Sequence, residues 1–354
     1  MISKQQTQSI CLALTAAVLF GASTPACKLL LGYLNPTLLA GLLYFGSGIG
    51  LGTFSILKRF LVKHHLKEAR LSRSDLPWLA GAIVFGGVAA PIFLMYGLRA
   101  ASASATSLLL NLESLFTALI AWFVFKENLD RRVTLGLFAI VCGGLCLAYQ
   151  GNVGLSLSAG TLAIALACLC WAVDNNLTRK VSAADPLETA TLKGLVAGAV
   201  NCLIASSMGD KFPQVPVLLV ACLVGLFSYG LSLSLYIRSL RHLGTARTSA
   251  YFSTAPFIGA ALSIVLLKEP VSAMFAAGGA FMALGVWLHI TETHSHEHTH
   301  EEIEHEHMHV HDEHHQHEHD SSVPLQEPHS HLHRHKRITH THHHFPDLHH
   351  DHGH

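Results

Sequence analysis

Residues 97–127 read GLRAASASATSLLLNLESLFTALIAWFVFKE, and residues 239–269 read SLRHLGTARTSAYFSTAPFIGAALSIVLLKE. The two stretches align without a gap. Leu98 meets Leu240, Arg99 meets Arg241, Thr106 and Ser107 meet Thr248 and Ser249, and Lys126 and Glu127 meet Lys268 and Glu269. A weaker match lies upstream of each, FGASTPACK (20–28) over WAVDNNLTR (171–179). A one-residue shift then sets Asn35 and Pro36 against Asp185 and Pro186. Self-similarity at this scale marks a chain built from two copies of one unit.

What one copy is follows from its apolar runs. Up to about residue 290 the 354-residue chain is rich in Leu, Ala and Gly, too apolar for a water-soluble globule. Ten runs of roughly 20 residues suit a bilayer core about 30 Å thick. They lie near 9–31, 36–57, 77–98, 102–125, 133–150, 159–178, 187–208, 214–237, 246–267 and 271–290. Runs of this length satisfy their own backbone in lipid only as helices. The expected fold class is therefore an all-α integral membrane protein of ten transmembrane helices, five in 9–150 and five in 158–290. Since five is odd, the second copy enters from the opposite side, giving two inverted repeats of the kind found in secondary transporters. The weakly charged start, MISKQQTQSI, with no clear cleavage site after it, makes the first run a retained span.

Basic residues set the orientation. Fifteen fall on one side: Lys4, Lys58, Arg59, Lys63, Lys67, Arg70, Arg73, Lys126, Arg131, Arg132, Arg179, Lys180, Arg238, Arg241 and Arg247. The other side receives Arg99, Lys211 and Lys268. The positive-inside rule then places both termini in the cytoplasm, with the chain in the cell membrane, inner or plasma. Glycine clusters such as GSGIGLG (46–52) and VFGG (84–87) read as close helix packing. All eight cysteines fall inside apolar runs and read as structural, Cys142 and Cys146 being the one pair a helical turn apart.

With its ten spans in two units, and with ASATSLLLNLESLFTALIAWFVFKE and its later partner, the chain resembles the EamA family of the drug/metabolite transporter superfamily. The resemblance covers about residues 9–290. It implies a ten-helix inverted-repeat fold that moves small organic solutes or metabolites by alternating access. It leaves the cargo open, because members differ in substrate. Many members carry proline at the centre of the fourth helix, whereas here that place reads Leu112, Glu113, Ser114, and the second unit keeps Pro256.

Ionisable groups within spans are costly and normally mark a polar pathway. Glu113 lies near the middle of span 4 with Asn111 beside it, Asp174 and Asn175 lie late in span 6 near Trp171, and Lys193 lies in span 7. These six are the candidate substrate-binding residues. Glu113 leads them, as a carboxylate for a cationic group or a coupling proton. The structural alternative is a packing ion pair of Glu113 with Lys193 or Lys28. Asp174 has its own alternative in Arg179 and Lys180, and Trp171 in interfacial anchoring. Glycine-rich phosphate loops and G-x-S-x-G elbows are absent from the sequence, and HExxH sites from its spans, which argues against an enzyme and against ATP-driven transport by this chain alone.

Residues 291–354 hold 24 of the 28 histidines. Such a tail buries too little to offset its ordering entropy and is expected to be disordered without a ligand. Its imidazoles at His294, His296, His298, His300, His305, His307, His309, His311, His314, His315, His317 and His319 suit Zn, Ni, Co or Cu ions. No cofactor is required by the spans. Expected partners are a small-molecule substrate, membrane lipid and divalent metal ions. Nucleic acid is not expected, and a homodimer is left open. The competing reading is a divalent-metal transporter or metal-responsive membrane protein, against which the spans place no histidine before His289.

Overall fold

The computed structural model describes residues 4–61, 75–125, 131–150, 154–155, 158–179, 186–243 and 245–290, and in the tail 294–300, 303–309, 329–335 and 338–344. Ten helical stretches among them are long and apolar enough to cross a membrane. They are span 1 (Thr7–Leu30), span 2 (Pro36–Lys58), span 3 (Leu76–Ala100), span 4 (Ala103–Val124) and span 5 (Arg131–Ala148), then span 6 (Ala159–Thr178), span 7 (Leu187–Ser207), span 8 (Val215–Ser239), span 9 (Arg247–Leu267) and span 10 (Ala273–Ile290). The chain is a multi-pass membrane protein with an all-helical membrane part.

Several spans are interrupted, and the interruptions recur in the same places of the two halves. Span 3 passes through a π-helical turn at Ile83–Ala89, and span 8 through one at Leu226–Leu231. Span 4 breaks between the helices Ala103–Leu109 and Leu112–Phe125, and span 9 between Thr245–Phe252 and Ala255–Leu267. Pro256 accounts for the break in span 9, since it opens the second helix and cannot continue the first. Span 4 breaks without a proline.

The packing has the same exchange property. Span 2 lies on span 7, span 5 on span 10 and span 4 on span 9. Span 3 against span 6 is matched by span 8 against span 1, and span 4 against span 6 by span 9 against span 1. Spans 5 and 10 approach through glycines: a Cβ at Gly143 would stand 2.8 Å from the Gly278 carbonyl, and one at Gly285 would stand 2.7 Å from that of Gly136. Small residues let backbones meet where lipid supplies no hydrophobic push.

The main apolar cluster does not fill the bundle evenly. It gathers Cys27, Leu30 and Leu34, Leu38 to Leu43, Leu94 to Leu98, Leu108 and Leu109, Ile164 to Trp171, Ala205, Ala221 and Ala260. These positions lie toward the ends of the spans joined by the turns 31–35, 101–102, 208–214 and 268–272. That end is called the turn face below, and the opposite end the basic face. On the turn face a short antiparallel pair, Tyr149–Gln150 with Gly154–Leu155, joins spans 5 and 6.

His294–His300 pairs antiparallel with Ile338–His344, and Ile303–His309 with His329–His335. The His-x-His alternation has the two-residue period of a pleated strand, which makes extended pairing compatible with the pattern.

Candidate functional site

Pro91 organises the centre of the bundle. Proline has no N–H, so in a helix one carbonyl upstream loses its donor. In α register that carbonyl is Gly87, and in the π register of this turn it is Gly86. Side chains from three other spans meet both. The Gly86 carbonyl accepts from Tyr44 OH at 2.8 Å and from Trp171 Nε1 at 3.1 Å. The Gly87 carbonyl accepts from Asn201 Nδ2 at 3.0 Å. Tyr44, Trp171 and Asn201 are buried, as carbonyl donors inside a bilayer must be. Asn201 Oδ1 is buried without a protein partner.

Asp174 packs directly on this turn, with its carboxylate where a Gly86 Cβ would otherwise lie. It is ion-paired with Lys193 and accepts a hydrogen bond from Thr178 Oγ1 at 3.0 Å. The two charged side chains are 7% and 20% exposed, so each depends on the other for compensation.

Glu113 enters from the break in span 4. Around the break the amides of Asn111, Glu113 and Ser114 each bond three residues back, a tightened turn. The helix that resumes at Leu112 carries Glu113 in its first turn, where the partial positive charge of a helix N-terminus favours a carboxylate. Glu113 Oε1 accepts from Asn175 Nδ2 at 2.8 Å, and Asp174 and Lys193 lie within electrostatic range. Spans 4, 6 and 7 thus bring Glu113, Asn175, Asp174 and Lys193 to one polar locus beside the π turn of span 3.

Neither packing ion pair weighed as the structural alternative for Glu113 forms. Lys193 is taken by Asp174, and Lys28 Nζ donates to the carbonyls of Leu98 at 2.7 Å, Ala101 at 2.6 Å and Arg99 at 3.3 Å. Asp174 finds Lys193 across the bundle; Lys180 and the side chain of Arg179 lie outside the described residues. Trp171 is buried at 8% exposure and is a carbonyl donor, not an interfacial anchor. Asn111 is not part of the locus. It donates to the Leu108 carbonyl at 2.9 Å and faces Met282 Sδ at 3.9 Å, because residues two apart on a helical path point to nearly opposite sides. Sequence reading missed Tyr44, Asn201, Thr178 and Pro91. Asn201, a polar residue within span 7, carried a legible signal; Tyr44 carried none.

The tail histidines His294, His296, His298, His300, His305, His307 and His309 fall in the described strands, while His311, His314, His315, His317 and His319 lie outside the described residues. Among the described residues, no group of three or more His, Cys, Asp or Glu is arranged to hold a metal ion.

A family model described as the EamA-like transporter family matches the chain twice, over residues 7–149 and 158–291. A protein of Methanothermobacter thermautotrophicus named as an uncharacterized transporter is 29% identical over 290 residues, covering 78% of this chain and 84% of its own. A probable amino-acid metabolite efflux pump of Salmonella typhimurium is 24% identical, covering 79% of this chain and 93% of its own. A solved crystal structure superimposes with a TM-score of 0.57 at 19% identity, over 79% of this chain and 95% of that one, a likeness of fold. Two matches that together span nearly the whole membrane part, each carrying a π turn and a broken helix at corresponding places, make the chain a member of the EamA-like transporter family.

Proposed function

We propose that the protein is a secondary transporter of small organic solutes that carry an amine, working by alternating access between two inverted five-helix halves. The observation that carries this reading is the state of Glu113. It is a half-buried carboxylate within a membrane span at a helix break, hydrogen-bonded to Asn175, while Lys28 and Lys193 are engaged elsewhere. An ammonium group or a coupling proton is what such a carboxylate lacks. Lys193, close by but shared with Asp174, is placed to meet the carboxylate of a zwitterionic amino acid. The Salmonella relative's name points to the same chemical class.

Support for alternating access comes from the exchange symmetry of the packing, from the matched interruptions and from the apolar cluster gathered toward the turn face. The basic-residue asymmetry puts that face outside and both termini, with the tail, in the cytoplasm. The tail is read as a binder of Zn, Ni, Co or Cu ions, separate from the transport path.

The test is uptake into proteoliposomes across imposed solute and pH gradients, with amino acids, other amines, nucleosides and divalent metals as cargo. Glu113→Gln should abolish or uncouple amine flux while the protein still inserts, and normal coupled flux in that variant overturns the role of Glu113. A chain lacking residues 294–354 should keep organic-solute flux and lose metal binding by titration calorimetry. Loss of all flux on that deletion, with metal moved by the full chain, would establish the metal-transporter reading instead.

A further inference from the structure

The turn face carries a second set of charged contacts, away from the polar locus. Glu269 stands just beyond span 9, in the half opposite to the turn it touches. Its Oε1 accepts from the Ala103 amide at 2.7 Å and its Oε2 from the Ser104 amide at 2.8 Å. Those two N–H groups open the first helix of span 4 and have no partner within that helix. Lys28, at the end of span 1, binds the Leu98, Arg99 and Ala101 carbonyls that close span 3. One turn is therefore held from both ends, its carbonyls by an ammonium and its amides by a carboxylate. Both groups complement the helix dipoles they face, and each lies in the electrostatic field of the other.

The backbone supports this placement. Lys268 sits at φ 54°, ψ 39°, the one non-glycine residue with positive φ among the described residues. Such a conformation is strained for a lysine and persists where surrounding contacts impose it. It ends the helix of span 9 and turns Glu269 across to Ala103. Pro270 then biases Glu269 toward an extended conformation. A second tie between the halves, Asn35 to Asp210, lies on the same face, and Arg99 Nη1 reaches Asn35 Oδ1 at 3.5 Å. Beneath these contacts lies the main apolar cluster.

We infer that Glu269 and Lys28 are positioning residues for transport, Glu269 forming the latch that joins the two halves at the turn face and Lys28 bracing the gripped turn from within its own half, and that this latch releases when the locus opens to that side. The inference rests on the alternating-access reading, but its experiment needs no cargo. Hydrogen exchange by mass spectrometry is measured on the full chain in lipid nanodiscs for wild type, Glu269→Gln and Lys28→Met. The latch predicts exchange faster by about tenfold, the scale of one charge-assisted hydrogen bond, in peptides covering 101–106, 31–38 and 205–214 together. Peptides from the basic-face end of span 1 should slow or stay unchanged. A rise confined to 101–106 would make Glu269 a local helix cap and overturn the latch, as would no change in any peptide. Glu269→Gln keeps the side-chain volume and one acceptor oxygen, so it remains readable if Glu269→Ala fails to purify. If the three peptides rise together while Glu113→Gln still transports normally, the latch stands and the proposed role of Glu113 falls.

Discussion

The π turns of spans 3 and 8 occupy corresponding places in the two halves, yet their surroundings differ. Around Ile83–Ala89 stand Asp174, Lys193, Tyr44, Trp171 and Asn201. Around Leu226–Leu231 stand hydroxyls and rings: Ser232 Oγ donates to the Ala16 carbonyl at 2.8 Å, and the Tyr229 ring packs 5.8 Å from Phe20 and 5.6 Å from Tyr44. One residue explains much of the contrast. Pro91 follows the first turn, and by the spacing of the repeat its counterpart after the second is Leu233, which keeps its N–H. The first half therefore leaves carbonyls in need of outside donors, and the second does not. The scaffold is nearly symmetric, and the chemistry is placed on one side of it.

The hardest test of that contrast is the ion pair. Lys193→Met should destabilise the protein by about 3–5 kcal/mol, because Asp174 is left charged and buried. The Asp174→Asn/Lys193→Met double variant should recover most of that loss, and denaturant unfolding in mixed micelles reads both. An equal cost for the double variant would mean that the pair contributes shape and hydrogen bonding more than charge compensation. Removing a hydroxyl from the other π turn offers no comparable effect.

Next come two glycines, where an added methyl in a tight contact costs about 1–3 kcal/mol. A Cβ on Gly86 would run into the Asp174 carboxylate, and a Cβ on Gly225 into the Leu43 carbonyl. A side chain can yield and a backbone cannot. Gly86→Ala should therefore lose more transport than stability as the Asp174–Lys193 pair shifts, and Gly225→Ala more stability than transport as spans 2 and 8 are forced apart. Parallel melting curves and uptake rates separate the two, and the same ratio of losses in both variants would break the distinction between the halves.

The sequence disclosed the scaffold far better than the site. Ten apolar runs of bilayer length can be little else, and they agree with the observed spans to within a few residues. Glu113 was legible because a charge in lipid is expensive wherever its partner lies. The partner itself was not legible. Lys193 chooses between Asp174 and Glu113 by the relative rotation of spans 4, 6 and 7, which residue identity does not encode. Lys28 was readable as a span lysine, but its target is a set of carbonyls, and backbone acceptors leave no mark in composition. Tyr44 likewise serves a carbonyl that lacks its helical donor because a proline stands at position 91 on another span.

That last link gives the smallest and most specific prediction. Tyr44→Phe removes one donor from the Gly86 carbonyl while Trp171 retains the other, so the expected cost is about 0.5–1.5 kcal/mol. Ser232→Ala, at the other π turn, should cost about 0.6 kcal/mol, the mean for hydrogen bonds between membrane helices. These values are too close to distinguish the halves alone, and a double-mutant cycle does so. Pro91→Ala restores an N–H to span 3, so Tyr44→Phe should become nearly neutral in that background, whereas Ser232→Ala should cost the same with or without it. Coupling of Pro91 to Tyr44 but not to Ser232 would tie the polar site to the missing amide. Additivity at both positions would mean that Tyr44 is held by its packing against Tyr229, and that the first half owes its donors to something other than its proline.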